Sequence, residues 1–190
     1  MKDRKLIVIG CSSGGVTALQ HIFCQLPKLP TVPIVVVQHI PATAVLDLEL
    51  VFGRYFSGKV LEAMDKTALK PGHIYFAPAG YHLLIESDYT LSISQDEHVN
   101  FARPSIDVLF ESAAFAIRND VCGVLLTGSN SDGALGLMKI KDRLGYTIVQ
   151  DPATAESPTM PQAALNLFHP DMVGNLDEIA KKLAETVRLT

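Results

Sequence analysis

The apolar run Leu6-Ile7-Val8-Ile9 enters Gly10-Cys11-Ser12-Ser13-Gly14-Gly15, after which Val16, Leu19, Phe23 and Leu26 recur at helical spacing as far as Pro27. That order predicts a strand, a tight turn and a helix, with a serine at the apex. Such a turn lifts a hydroxyl out of the end of a sheet and aims a helix N-terminus at whatever binds there. It suits either a nucleophile or a phosphate site. A second apolar run, Val32-Pro33-Ile34-Val35-Val36-Val37, has no polar face, as expected of a strand buried on both sides in a parallel sheet covered by helices. The start of the chain therefore reads as a βαβ unit.

The rest continues the α/β pattern. A weaker helix is expected from Val45 to Tyr55, then short strands at Val60–Ala63, His73–Phe76, Tyr81–Glu86 and Thr90–Ser94, the last two joined as a hairpin by Ser87-Asp88-Tyr89. These middle strands are expected to add antiparallel pairing to an otherwise parallel sheet. Pro104 and Ser105 open a helix that runs to Arg118, with Asp107 in its first turn. Val121–Leu126 is a third buried strand. It leads through Thr127-Gly128-Ser129-Asn130-Ser131-Asp132-Gly133 into a helix over Ala134–Leu144, which Gly145 is expected to end in a left-handed cap. Tyr146–Gln150 reads as a strand, Asp151–Pro161 as a polar loop with three prolines, and Asn175-Leu176-Asp177-Glu178 as the capping box of a terminal helix. The fold class is α/β: a doubly wound, mostly parallel sheet with helices on both faces and an antiparallel hairpin addition.

Composition excludes several functions. At 190 residues and 48% apolar content the chain fits a single domain, and a formal net charge of −4 without a local Lys/Arg cluster argues against nucleic acid. The N-terminal apolar run is too short for a secretory signal or a membrane span, so a cytoplasmic protein without membrane insertion is expected. Cys11, Cys24 and Cys122 lack metal-ligand spacing and read as buried free thiols; neither metal nor cofactor is expected.

As a dinucleotide site the first turn fails. Its glycines fall at 10, 14 and 15, and the second strand ends in Gln38-His39 rather than in an acid. Gly10-Cys11-Ser12-Ser13-Gly14 does match G-x-S-x-G, although small residues alone could explain that match. His39 and Asp132 strengthen it, because both follow buried strands and so share with Ser12 the carboxyl-end rim where open α/β sheets bind ligands. A serine needs an imidazole to take its proton, and the imidazole needs a carboxylate to fix its tautomer. Ser12, His39 and Asp132 supply that set, and main-chain N–H groups around Ser13, Gly14 and the Gly128-Ser129 loop could hold an oxyanion. A non-catalytic nucleotide- or phosphate-binding module using the two glycine-rich loops is the alternative from another class.

The same residues carry a resemblance. Ile9 to Gly15, Val37-Gln38-His39-Ile40-Pro41, Pro71 to Pro78, Arg103 to Phe110, Leu126 to Gly133 and Met160-Pro161 resemble, in order, the signatures of the CheB family of chemotaxis protein-glutamate methylesterases. The resemblance implies hydrolysis of glutamate methyl esters on the cytoplasmic helices of methylated chemoreceptors, with deamidation of certain receptor glutamines as a side activity. It places the triad on Ser12, His39 and Asp132. A related hydrolase with a non-receptor substrate stays open.

Departures from the family pattern fall at Ser13 for threonine, Ser129-Asn130 for methionine-glycine, Ala102 for histidine, and Ala42-Thr43-Ala44 for Pro-Gly-Phe. They bear on substrate preference. Residues 1–190 are read as one catalytic domain without the receiver domain usual in the family, so a receiver or regulator acting in trans is a candidate partner. Arg103 is expected either to meet an acidic receptor helix or to pair with Asp107 one turn on. Cys11, one position before the apex, should pack into the sheet; His73, His82 and His98 read as structural, and Asp47 and Glu49 as a solvated helix face.

Overall fold

The computed structural model describes residues 5–40, 43 and 47–187. The expected helix start at Val45 and most of the Ala42-Thr43-Ala44 departure lie outside them.

Seven parallel strands form one sheet in the order β3-β4-β2-β1-β7-β8-β9: β1 (Leu6–Cys11), β2 (Ile34–Gln38), β3 (Lys59–Glu62), β4 (His73–Phe76), β7 (Val121–Leu125), β8 (Tyr146–Gln150) and β9 (Met172–Gly174). A separate antiparallel hairpin pairs β5 (His82–Ile85) with β6 (Leu91–Ser94). The expected antiparallel additions to the sheet are thus corrected. The strands at 59–62 and 73–76 join it in parallel, and the antiparallel strand pair is the separate hairpin. Parallel sheets bury both faces, and alternate residues of β1 and β2 feed two cores. Val8, Val35 and Val37 pack with α3 (Ile106–Ala116), α4 (Ala134–Asp142), α5 (Thr159–Leu167) and the hairpin. Ile7, Ile9, Ile34 and Val36 pack with α1 (Gly15–Phe23), α2 (Leu48–Phe52) and α6 (Leu176–Thr186).

Local chemistry sets the element ends. Ser105 caps α3 by accepting the Val108 N–H, Asp47 caps α2 through Leu50, and Asn175 with Glu178 forms the full capping box of α6. The left-handed residue after α4 is Leu144, not Gly145. Gly145 is needed for space, since a Cβ there would come 2.6 Å from Ile140 Cγ2 and 2.9 Å from the Val121 carbonyl. The loop expected over 151–161 hides the start of α5, because Pro161 sits in the first helical turn, where no intrahelical N–H bond is lost. Cys11 and Cys122 are buried, with Cys122 pushed up to about 12 by that burial, whereas Cys24 is exposed and bonds the His21 carbonyl.

The chain runs outward from β1 through β2 to the β3-β4 edge and then returns to β7, so the topological switch lies between β1 and β7. That is where a doubly wound sheet opens a crevice at its carboxyl end.

Candidate active site

Ser12 and His39 follow neighbouring parallel strands in matched register, Gly10 opposite Val37 and Cys11 opposite Gln38. Neighbouring strands lie about 4.8 Å apart, so the next residue on each falls beside the other. Gln38 holds the two ends together: its amide donates to the Ser12 and His39 carbonyls, both at 2.9 Å, and its Oε1 accepts from Cys11 Sγ at 3.1 Å. Cys11 therefore packs inward as expected, and burial pushes its thiol upward.

Asp132 arrives from the other side of β1, on the loop between β7 and α4. Its carboxylate is fully buried and lies against the N-terminus of α3. Oδ2 meets His39 Nε2 at 2.8 Å and accepts the Ile106 N–H at 2.7 Å. Oδ1 accepts from Ser105 Oγ at 2.8 Å, from the Asp107 N–H at 3.2 Å and from the Asn100 amide at 3.2 Å. Burial works to raise this carboxyl, but the bonds from His39, Ile106 and Ser105 outweigh it and hold the group below the ordinary carboxylate range. Facing an ionised carboxylate, Nε2 carries the proton and leaves Nδ1 as the basic nitrogen. That assignment is the reverse of the familiar serine-protease arrangement.

Ser12 and His39 line one cavity of about 300 Å³, walled further by His98, Phe101, Arg103 and Asn130. Among the described residues the Ser12 hydroxyl makes no hydrogen bond. The backbone N–H groups of Ser13, Gly14 and Ser129 are likewise uncommitted there, and Ser13 Oγ meets Ser129 Oγ at 3.2 Å, which draws the two loops together. Gly128 departs from the expectation. Its N–H is taken by the Ser157 carbonyl at 3.0 Å, so it cannot serve an oxyanion. Thr127 Oγ1 links the same loops by donating to the Ser13 carbonyl and accepting from Ser157. Met160 fills the space over Gly128, where a Cβ would meet its Sδ at 2.6 Å and Ser12 Cβ at 3.0 Å. The Met160-Pro161 signature is thus part of the wall behind Ser12.

Arg103 does not pair with Asp107. Its Nη1 donates to the Gln95 and Asp96 carbonyls, because the Asp107 carboxylate is already taken by the Gly136 N–H at 2.6 Å and the Asn100 amide at 2.7 Å. His82 is structural, bonded to Glu97 and Ser105, and His73 bonds the Pro71 carbonyl, whereas His98 lines the cavity. Sequence reasoning missed Asn100 and the second role of Ser105. Both sit in a loop without periodicity, and no local pattern aims their side chains at a residue far along the chain. Among the described residues no cluster of His, Cys, Asp or Glu is placed to hold a metal, and no helix is long and apolar enough to cross a membrane.

Residues 7–183 match the CheB methylesterase family. A Leptospira interrogans protein provisionally named protein-glutamate methylesterase/protein-glutamine glutaminase is 48% identical over 175 residues, covering 92% of this chain and 91% of its own. The protein-glutamate methylesterase/protein-glutamine glutaminase 1 of Carboxydothermus hydrogenoformans is 40% identical over 189 residues; the match covers 97% of this chain but 56% of that one. The crystal structure of the Thermotoga maritima CheB methylesterase catalytic domain superposes with a TM-score of 0.88 at 32% identity, covering 96% of this chain and 98% of that one. The chain belongs to the CheB methylesterase family.

Proposed function

We propose that this chain is a serine hydrolase that demethylates glutamate methyl esters on the cytoplasmic helices of chemoreceptors, with Ser12 as nucleophile, His39 as general base and Asp132 as the orienting carboxylate. The observation that carries this reading is the bond between His39 and a fully buried Asp132, at the wall of a cavity that Ser12 also lines. Nδ1 of His39 takes the Ser12 proton as Oγ attacks the ester carbonyl. The N–H groups of Ser13 and Ser129 are the available donors for the oxyanion, since the Glu156 side chain lies against Gly14. Collapse of the tetrahedral intermediate expels methoxide, which leaves as methanol with the proton from His39. Water activated by the same imidazole then cleaves the acyl-enzyme to free glutamate. The same route through an amide would release ammonia and account for glutamine deamidation. Neither step requires a metal or a cofactor.

The phosphate-binding alternative is disfavoured by Glu156. Its side chain lies against Gly14 at the N-terminus of α1, where a Cβ on that glycine would meet Glu156 Oε2 at 2.9 Å. A resident carboxylate there opposes a second anion. The deciding experiment is methanol release from methylated receptor membranes with a Ser12→Ala control. Activity is expected to vanish in the variant while its melting temperature holds, since a partly exposed hydroxyl without a hydrogen bond is lost at little structural cost. Full activity in a folded Ser12→Ala protein would overturn the mechanism.

A further inference from the structure

Val99 and Ala102 exchange backbone hydrogen bonds at 3.1 and 2.9 Å, and the two residues between them, Asn100 and Phe101, both have left-handed backbone, at φ +50° and +62°. This is the arrangement of a tight primed hairpin turn. Phe101 points out at the cavity rim and is fully exposed. Asn100 does the opposite. Its Nδ2 reaches inward to two carboxylates at once, Asp107 Oδ2 at 2.7 Å and Asp132 Oδ1 at 3.2 Å. An amide nitrogen carries two hydrogens, so one can serve each acid.

We infer that Asn100 is a positioning residue of the hydrolase, bridging the carboxylate that orients His39 to a second buried carboxylate, Asp107, and thereby keeping Asp132 ionised beside a like charge. The inference rests on the proposed roles of Ser12, His39 and Asp132. Asp132 and Asp107 are both almost wholly buried, and two buried carboxylates in contact with one donor repel each other. Burial, with the charge of Asp132 and Glu111 adding to it, leaves Asp107 pushed up to about 6 despite its bonds from Gly136 and Asn100. The other titratable groups around the pair are His39 beyond β2, Glu111 along α3, and His82 of the hairpin, which reaches it only through Ser105; α4 meets Asp107 with the Gly136 N–H. None of these donates to both acids, as Asn100 does.

Asparagine also suits a left-handed turn for its own sake, so the test must keep the turn and remove the amide. Asn100→Gly does that, and Asn100→Asp keeps the shape while adding a third carboxylate. The readout is the rate at which a fluorophosphonate labels Ser12, followed from pH 4.5 to 8.5, beside kcat and KM for methanol release. In Asn100→Gly, labelling and kcat are expected to fall about tenfold with KM unchanged. The acid limb of both profiles should move up by about half a pH unit or more, and Asn100→Asp should move it further. An unmoved acid limb with wild-type labelling in either folded variant would overturn the inference. If wild-type protein is labelled but releases no methanol, the methylesterase reading fails while the role of Asn100 is still decided by labelling; if Ser12 is not labelled at all, both fall.

Discussion

The junctions β1–α1 and β7–α4 are built alike and end in opposite chemistry. Each passes from a central parallel strand through a short polar loop into a helix whose N-cap is a left-handed glycine without a side-chain cap, Gly14 at φ +79° and Gly133 at φ +92°. At the first, the Ser12 hydroxyl and the adjoining N–H groups lack partners among the described residues. At the second, the Asp132 carboxylate is saturated by five donors from three other segments. The difference lies in what covers each loop. The α3 N-terminus and the Asn100 turn close over Asp132, while a cavity stays open above Ser12. A nucleophile must be reachable and unencumbered, whereas the group that orients its base must not move or exchange partners with water.

The sharpest way to break this contrast is Asp132→Asn. The amide would present one oxygen where the carboxylate presents two, and it would no longer favour the cationic form of His39. Turnover should fall by about 10⁴, if the serine-protease example transfers, with substrate binding retained. The variant should also melt lower, because Ile106, Asp107, Ser105 and Asn100 all aim donors at that group and some would meet an N–H instead. Single-turnover acylation and thermal unfolding check the two halves. A folded variant with unchanged acylation would remove Asp132 from the mechanism.

The glycines sharpen the comparison. Both need a backbone that alanine adopts only with strain, but their surroundings differ. A Cβ at Gly133 would drive into Ile106 Cγ2 at 2.5 Å and Leu125 Cδ1 at 2.6 Å, both in the buried core, whereas one at Gly14 would meet the side chain of Glu156, an exposed residue. Gly133→Ala is expected to cost roughly 2–4 kcal/mol and Gly14→Ala about 1–2 kcal/mol, because only the first adds overpacking of a core to backbone strain. Denaturant midpoints would show the order. Equal losses would mean that the two loops are equally confined.

Much of this was legible in the residues. Strand ends are marked by the passage from an apolar run to glycine or a polar residue, so Ser12, His39 and Asp132 could be placed on one rim from the sequence. The hydrogen bond between His39 and Asp132 follows from that placement. What could not be read depends on packing between segments distant in the chain. Ser105 reads with Pro104 as the opening of a helix, and in the structure it caps that helix, but its hydroxyl also donates to Asp132, 27 positions away. Helix α5 was hidden because prolines at 158 and 161 read as loop, although both fall at a helix start that tolerates them. Strands β3 and β4 gave length and polarity but no orientation, since short strands pair either way and only the crossover between them decides.

The smallest effect concerns the two buried acids: burial works to raise both, but the bonds to Asp132 reverse its net shift and those to Asp107 do not. Asp132 is held below the ordinary range, so its contribution is present above the pH at which an unfolded aspartate ionises and is lost as pH falls through its lower folded value. Asp107 is the reverse: raised from 3.8 to about 6, it binds its proton more tightly when folded. Folding is therefore favoured by this group below about pH 4, and that advantage disappears as pH rises through about 6. Asp107→Asn keeps an acceptor for the Gly136 N–H and cannot ionise. Relative to wild type, the variant should gain stability between pH 4 and pH 7 by roughly 1–3 kcal/mol, with the change centred between 4 and 6. Melting temperatures of both proteins across that range provide the measurement. A constant difference at every pH would show that Asp107 ionises alike in the folded and unfolded chains, and the like-charge tension behind Asp132 would then be absent.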